Sequence, residues 1–369
     1  MGRRAEYGAG IVHYGGDPGL ASCLASLYAQ VHPPVHVVVV DHDPPDSADP
    51  ARAALRLAHP EVEWIHAPNG GYSAGANRVV SSVLAAAPDC AFVLVLNPDV
   101  ELEPTFAAAA VDELARHPDV ALASGKLLRP GGREIDSAGI ARRRSRRYVD
   151  RGSESPDDGR FDRVETVFAV SGAALLLRRA ALEDLAIEGE LFDEDFFTYH
   201  EDTDLAWRAR QLGWRSLYVP AARAIHVRGW RRSARRRVAD GIRRHSFKNR
   251  YLELLKNERV SALVRDLPFV LPVELARLGF ALAVDRALLR GYLDALRLAR
   301  RALRKRALLR AKAAGGPVEA TSALLRPAPV APTEALRASR GSAGAGAPAV
   351  RSATRAAGGS TFARFGEGS

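Results

Sequence analysis

The chain has 369 residues, 47% of them hydrophobic, which is ample for one large globular core with appendages. Its formal net charge of +10 comes mostly from arginine, and the basic stretches Arg142 to Arg147, Arg228 to Arg237 and Arg297 to Lys312 lack the aromatic interleaving of a single-strand binding surface, so no nucleic-acid partner is expected. Two cysteines, Cys23 and Cys90, lie in apolar contexts without CxxC or Cys/His spacing, which argues against a disulfide framework or a structural zinc site and fits a reducing, cytoplasmic setting.

In chain order, Gly10 to Tyr14 is a short apolar run that reads as a strand, and the spacing of Leu20 to Leu27 suits a helix. Val35 to Val40 is β-branched and apolar on both faces, the pattern of a buried parallel strand. Ala51 to Ala58 reads as a helix, Val62 to Ile65 as a strand, Ser73 to Ala87 as a helix and Ala91 to Leu96 as another buried strand. This alternation predicts an α/β fold, a mainly parallel sheet flanked by helices, with ligands beyond the carboxyl ends of the strands. Two of those ends carry acids: Val40 is followed by Asp41-His42-Asp43, and Leu96 by Asn97-Pro98-Asp99. Acids after strands also form turns and helix caps, and Pro98 supports a turn at Asn97 to Asp99. Between them, Asn69 to Arg78 is a loop of small residues running into a helix, where backbone amides can approach an anion. It is neither a Walker loop nor the dinucleotide fingerprint.

Farther on, Glu201, Asp202 and Asp204 set three carboxylates within four positions, framed by Phe196, Phe197, Tyr199 and Trp207. Like charges this close repel, and apolar neighbours raise the cost of ionising them, so a cation or a reacting proton is a natural partner. A helix N-terminus accounts for the same acids, and both readings can hold together.

In the order and spacing of these motifs, over about residues 9 to 255, the chain resembles the GT-A glycosyltransferases of family 2, in their bacterial rhamnosyltransferase-like branch. The matching pieces are Ile11 to Tyr14 with Leu24 to Gln30, Val40 to Asp43, Asn69 to Asn77, Leu96-Asn97-Pro98-Asp99, Ser171 to Leu176 and Glu201 to Arg208. The resemblance implies inverting transfer of a sugar from a nucleotide diphosphate donor, dTDP- or UDP-linked, to a hydroxyl of a glycan or lipid-linked acceptor. It also implies a divalent cation, Mg2+ or Mn2+, to neutralise the leaving diphosphate. Asp99 matches the second acid of the family's metal motif, while Asn97 stands where the first acid is usual. Asp41 matches the acid that bonds the nucleotide base, and Asn69, Gly75 and Asn77 belong to the loop bordering the nucleotide and its phosphates. His42 and Asp43 depart from the family pattern, which leaves the nucleotide open. His226 matches a histidine that completes the metal or diphosphate site, although a lone histidine is as readily structural. By the same match Asp202 is the general base, with Glu201 and Asp204 supporting it or touching acceptor hydroxyls.

The expected donor is dTDP-rhamnose and the expected setting cell-envelope or polysaccharide synthesis, with a galactofuranosyl or other hexosyl transferase as the nearest alternative. A catalytically silent nucleotide-sugar-binding scaffold is the alternative of another class. His245 to Tyr251 opens a helix that resembles the family's arginine/asparagine-rich segment, and Arg129 to Asp162 reads as a loop or irregular hairpin. The expected division is a GT-A domain over 1–255, a basic amphipathic helical extension over 256–313 and a disordered tail over 314–369. No apolar h-region of the kind a signal peptide carries appears before Tyr14, and no uninterrupted run of about 18 or more apolar residues occurs, so neither a signal peptide nor a spanning helix is expected. Leu289, Leu293, Leu296 and Leu303 share one face of a basic helix, which suggests peripheral contact with the inner face of the plasma membrane.

Overall fold

In the computed structural model, which describes residues 4–15, 19–43, 50–227 and 239–315, the amino-terminal half alternates strand and helix as its hydrophobic pattern requires. The order is β1 (Tyr7–His13), α1 (Gly19–Tyr28), β2 (Val37–Asp41), α2 (Pro50–Ala58), β3 (Glu63–His66), α3 (Gly71–Ala86) and β4 (Phe92–Leu96). β1 pairs in parallel with β2 and with β4, and β2 in parallel with β3. Val37 and Val39 enter one apolar cluster with Ile11, Leu24 and Phe106, while Val38 and Val40 enter the other with Val12, Val79 and Val95. Burial on both faces is why the run does not alternate with polar residues, and each such valine contributes roughly 1.5–3 kcal/mol. α3 lies directly on β1: a Cβ at Gly8 would come within 2.3 Å of Val83, and one at Gly10 within 2.5 Å of Val79.

The second half continues with β5 (Val100–Leu102), α4 (Phe106–Arg116), β6 (Val120–Leu128), β7 (Ile135–Ser137), β8 (Ile140–Arg142), β9 (Tyr148–Asp150), β10 (Glu165–Val167) and β11 (Ala174–Arg178). α5 (Leu182–Leu185), α6 (Glu201–Gln211), β12 (Arg215–His226), α7 (Asp240–Asn257), α8 (Val260–Arg265), α9 (Leu267–Ala283) and α10 (Leu289–Ala313) complete it. The main sheet runs β10-β12-β6-β11-β4-β1-β2-β3. The parallel arrangement holds from β4 to β3 and for β12 beside β6, but β11 runs antiparallel to both β4 and β6. The long excursion from β6 to β11 contains no helix, and a parallel connection needs a crossover of that kind. That excursion holds β7 and the β8–β9 hairpin, over part of the segment expected to be irregular.

Two features position the site. β5 pairs antiparallel with the end of β12, with His226 opposite Val100, and the Val227 N–H donates to the Asp99 carbonyl at 2.9 Å. α7 runs through the expected boundary at 255 and packs along α10. The stretch Arg228 to Arg237 and the tail beyond Gly315 lie outside the described residues.

Candidate active site

Glu201, Asp202 and Asp204 open α6, where the helix macrodipole favours them. Immediately before them Phe197, Tyr199 and His200 have positive φ, at 67°, 69° and 72°, a conformation that costs a residue with a side chain on the order of 1–3 kcal/mol. The surroundings hold this turn. Asn249 of α7 donates from Nδ2 to the carbonyls of Phe196, Thr198 and Tyr199 at 2.8, 2.8 and 2.7 Å. The Phe197 carbonyl accepts from the Ser73 N–H at 3.2 Å. Gly71, at φ +80°, leaves room for it, since a Cβ there would sit 2.2 Å from that oxygen. Asn249→Ala withdraws the donor from three carbonyls at once and should lower stability by about 2 kcal/mol, read as a fall in Tm.

The turn brings Glu201 and Asp202 into a cavity of about 240 Å³, which Thr198, Tyr199, Tyr72, Asn97, Asp99, Ser171 to Ala173 and His226 also line. Asp202 is half-buried; its Oδ2 accepts from the Gly172 N–H at 3.1 Å and its Oδ1 from the Thr203 N–H at 2.7 Å. Burial pushes its pKa up and these two bonds pull it back, with a net rise. Glu201 is buried and its Oε2 has no hydrogen-bond partner among the described residues. Burial first, then the adjacent Asp202 charge, push its pKa well above the ordinary range. Two adjoining carboxyls that resist ionisation are equipped to take up one proton between them.

Asp99 and His226 lie on the strand-end side of the same cavity, with Asp99 Oδ1 3.4 Å from His226 Nε2. His226 Nδ1 bonds Asp136 Oδ2 at 2.8 Å. Burial alone would lower the histidine pKa, but bonds and charges from Asp136 and Asp99 raise it to about 9. A buried imidazole fixed through one nitrogen by a carboxylate, with its other nitrogen beside a second carboxylate, suits a divalent cation. The side chains present therefore fit one.

The other expected site residues are placed differently. Asp41, fully buried at the end of β2, bonds His13 Nδ1 at 3.1 Å, Arg56 at 2.8 Å and Arg52 at 3.2 Å. Burial would raise its pKa, yet His13, the Asp43 N–H and Arg52 together bring it down to about 2. His13, Asp41 and Asp43 lie within 4.8 Å of one another, but Arg52 also pairs with Asp43 at 3.1 Å, so arginines already neutralise these acids. Asn69 Oδ1 accepts from the Gly71 N–H at 2.9 Å in the turn that leads into α3. Asn77 bonds both the N–H and the carbonyl of Phe192 at 2.8 Å. Gly75 allows close packing, for a Cβ there would meet Val12 at 2.5 Å. None of Asp41, Asn69, Gly75 or Asn77 lines the cavity with Asp202.

Asp204 is also elsewhere. It is fully buried and accepts from Arg208 at 3.0 Å, Lys256 at 2.8 Å and Asn257 at 2.7 Å. Its place is in a buried ion network away from the cavity, with Arg208, Lys256 and Asn257. Of the buried α7 residues Lys248, Asn249, Glu253, Lys256 and Asn257, the first two lie in the segment His245 to Tyr251 that the sequence singled out, and reasoning from sequence passed over the other three. The spacing at 249, 253 and 256 marks one helix face, but a polar face normally signals solvent. Asp136, between Ile135 and Ser137, was likewise missed; its apolar neighbour on a short strand was the available hint.

A family model described as "Glycosyltransferase like family 2" matches residues 6–246. The N-acetylglucosaminyl-diphospho-decaprenol L-rhamnosyltransferase of Mycobacterium tuberculosis is 32% identical over 241 residues, spanning 58% of this chain and 74% of that protein. Staphylococcus aureus TarS (1–349) in complex with UDP superimposes with a TM-score of 0.51 at 17% identity, over 84% of this chain and 87% of that one. GalNAc-T7 with UDP, GalNAc and Mn2+ superimposes with a TM-score of 0.51 at 15% identity, over 69% of this chain and 48% of that one.

Proposed function

The chain belongs to glycosyltransferase family 2 and is a glycosyltransferase of GT-A fold, and from that premise we propose that it transfers rhamnose from dTDP-rhamnose, with inversion, to a lipid-linked acceptor bearing N-acetylglucosamine. The observation that carries the reaction type is the gathering of Asp202 and Glu201 with Asp99 and His226 in one cavity. In the proposed step the acceptor oxygen bonds to the anomeric carbon as the bond from that carbon to the diphosphate oxygen breaks. The bonding pair leaves with the nucleotide diphosphate and the hydroxyl proton passes to Asp202. Attack opposite the leaving group inverts the centre.

Asp99 and His226 would hold the divalent cation, Mg2+ or Mn2+, which when bound neutralises the leaving diphosphate. Asn97 lines the same space and is assigned to the donor. Tyr72, whose hydroxyl donates to the Gly172 carbonyl at 2.8 Å, and Tyr199 limit water access, which matters because water competes as an acceptor. The choice of sugar and acceptor is supported by the mycobacterial relative and its name. We assign the reaction to the inner face of the plasma membrane, where a lipid-linked acceptor is accessible.

The test is transfer from dTDP-rhamnose to a diphospholipid-linked N-acetylglucosamine by the purified protein. We expect turnover that chelation with EDTA abolishes and Mg2+ or Mn2+ restores. Transfer from a UDP-hexose instead would overturn the donor, and turnover unchanged by EDTA would overturn the cation.

A further inference from the structure

The carboxy-terminal helices carry an inverted pattern. α9 meets the body of the protein through Val270, Glu274, Arg277 and Ala281, a single stripe at helical spacing. Glu274 accepts from Arg250 Nε at 2.9 Å and from the Tyr251 hydroxyl at 2.6 Å, and the Arg277 guanidinium lies 4.6 Å from the Phe247 ring centre. The charged residues of this helix therefore face inward. Its outer faces are apolar, and Phe269, Leu271, Leu275, Leu278, Phe280 and Leu282 are each 40–59% exposed. A helix of a water-bathed domain is built the other way round. Of the 20 large apolar side chains exposed among the described residues, 13 lie between Val260 and Leu303, so the patch is a property of this region and not of the surface at large.

Charge is concentrated in the same place. Residues 259–313 hold 13 arginines and lysines against four acids, nine of the chain's ten net positive charges. The four acids are committed to arginines: Asp266 to Arg146, Glu274 to Arg250, Asp285 to Arg243 and Asp294 to Arg244. Exposed arginines such as Arg286, Arg290 and Arg300 flank the apolar faces. No single helix among the described residues is long and apolar enough to cross a membrane. At 17 residues α9 is about 25 Å long, short of the hydrocarbon thickness of a bilayer.

We infer that α9, with the exposed valines of α8, lies in the interface of an anionic lipid bilayer, its apolar faces among the acyl chains and the neighbouring arginines on the headgroups. This rests on the reading of a lipid-linked acceptor only for its biological setting. It adds α9 to the leucine face of α10, from which the sequence suggests the contact and where Leu293, Leu296 and Leu303 are likewise exposed. α10 is tied to the body through Lys305 with Asp193 at 2.6 Å and through Lys312 with the Ala186 carbonyl at 2.8 Å, while these leucines stay exposed. Apolar insertion and lipid charge act together in such helices, so both should be required.

The experiment is flotation of the full chain with vesicles of phosphatidylcholine alone or with phosphatidylglycerol, for wild type, for the triple variant Leu271→Glu, Leu275→Glu, Leu278→Glu and for the double variant Arg286→Glu, Arg290→Glu. Wild type is expected to float with the anionic vesicles and not the neutral ones, and each variant to bind them at least roughly tenfold more weakly. Circular dichroism should show both variants folded, because the altered side chains point outward. Wild type that stays unbound, or a folded triple variant that binds equally well, overturns the inference. So does a wild-type dimer that the triple variant turns into monomer without any vesicle binding, since a second copy would then be what covers the face. Transfer to a short-chain, water-soluble acceptor should survive in both variants. Vesicle binding with no transfer to any acceptor would sink the proposed reaction and leave this inference standing.

Discussion

Asp202→Asn is expected to lower kcat by roughly 10²–10⁴ while leaving donor binding nearly unchanged. The amide keeps the shape of the side chain, and its one oxygen can still accept from either the Gly172 or the Thr203 N–H, but it cannot take the proton of the attacking hydroxyl. The pH profile identifies the same group. Burial raises the Asp202 pKa above its ordinary 3.8, and a base must be ionised to act. Activity is therefore lost as pH falls through that raised value, and the acid limb of kcat/KM should lie above the ordinary aspartate range. Because the folded state raises this pKa, ionisation costs stability above the unfolded pKa and nothing below it. Removing the charge therefore offsets the one N–H bond the amide gives up, and Tm at neutral pH should change little. Steady-state kinetics between pH 4 and 9 with thermal melting checks all three, and near-normal turnover in the variant rejects Asp202 as the base. Glu201→Gln supplies the contrast. Glu201 has the more strongly raised pKa, so its variant should gain stability, and a larger loss of kcat than in Asp202→Asn would transfer the base role to Glu201.

Asp204→Ala, two positions along the helix, should fail in the opposite way, losing roughly 3–5 kcal/mol of stability. Asp204 is the shared acceptor of Arg208, Lys256 and Asn257 in a site with no exposed surface. Truncation leaves two buried cations short of a counter-charge. Lys256 retains Asp193 and its place 4.7 Å from the Phe196 ring centre, and Arg208 retains the carbonyls of Leu185 and Leu191. The fold should therefore be weakened rather than abolished, with Tm lower by on the order of 10 °C. A variant that melts normally and loses only kcat would place Asp204 in the chemistry after all. The pair of substitutions separates two acids that look interchangeable in the motif Glu201-Asp202-Thr203-Asp204.

Much of the fold was legible in the sequence because its signals are local. A run such as Val37 to Val40 can satisfy its apolar side chains only between two covering layers, so the run itself announces a buried strand. The alternation from β1 to β4, the acids beyond β2 and β4 and the acidic start of α6 could all be placed for that reason. The direction of β11 could not, because strand polarity depends on the path taken between strands. The α7 face escaped for a related reason. Glu253, Lys256 and Asn257 look like the continuation of a solvated stripe, and for Lys256 and Asn257 it is the acids that arrive from 193–204 that make burial favourable.

By itself, then, the sequence determined the family, the layered sheet and the presence of an acid cluster after an aromatic run, each carried by residues close together in the chain. Tertiary structure alone decided which acids face the cavity. Asp202 and Asp204 stand two positions apart on a helix, about 200° of rotation. One therefore meets the Gly172 backbone and open space while the other meets Lys256, Arg208 and Asn257.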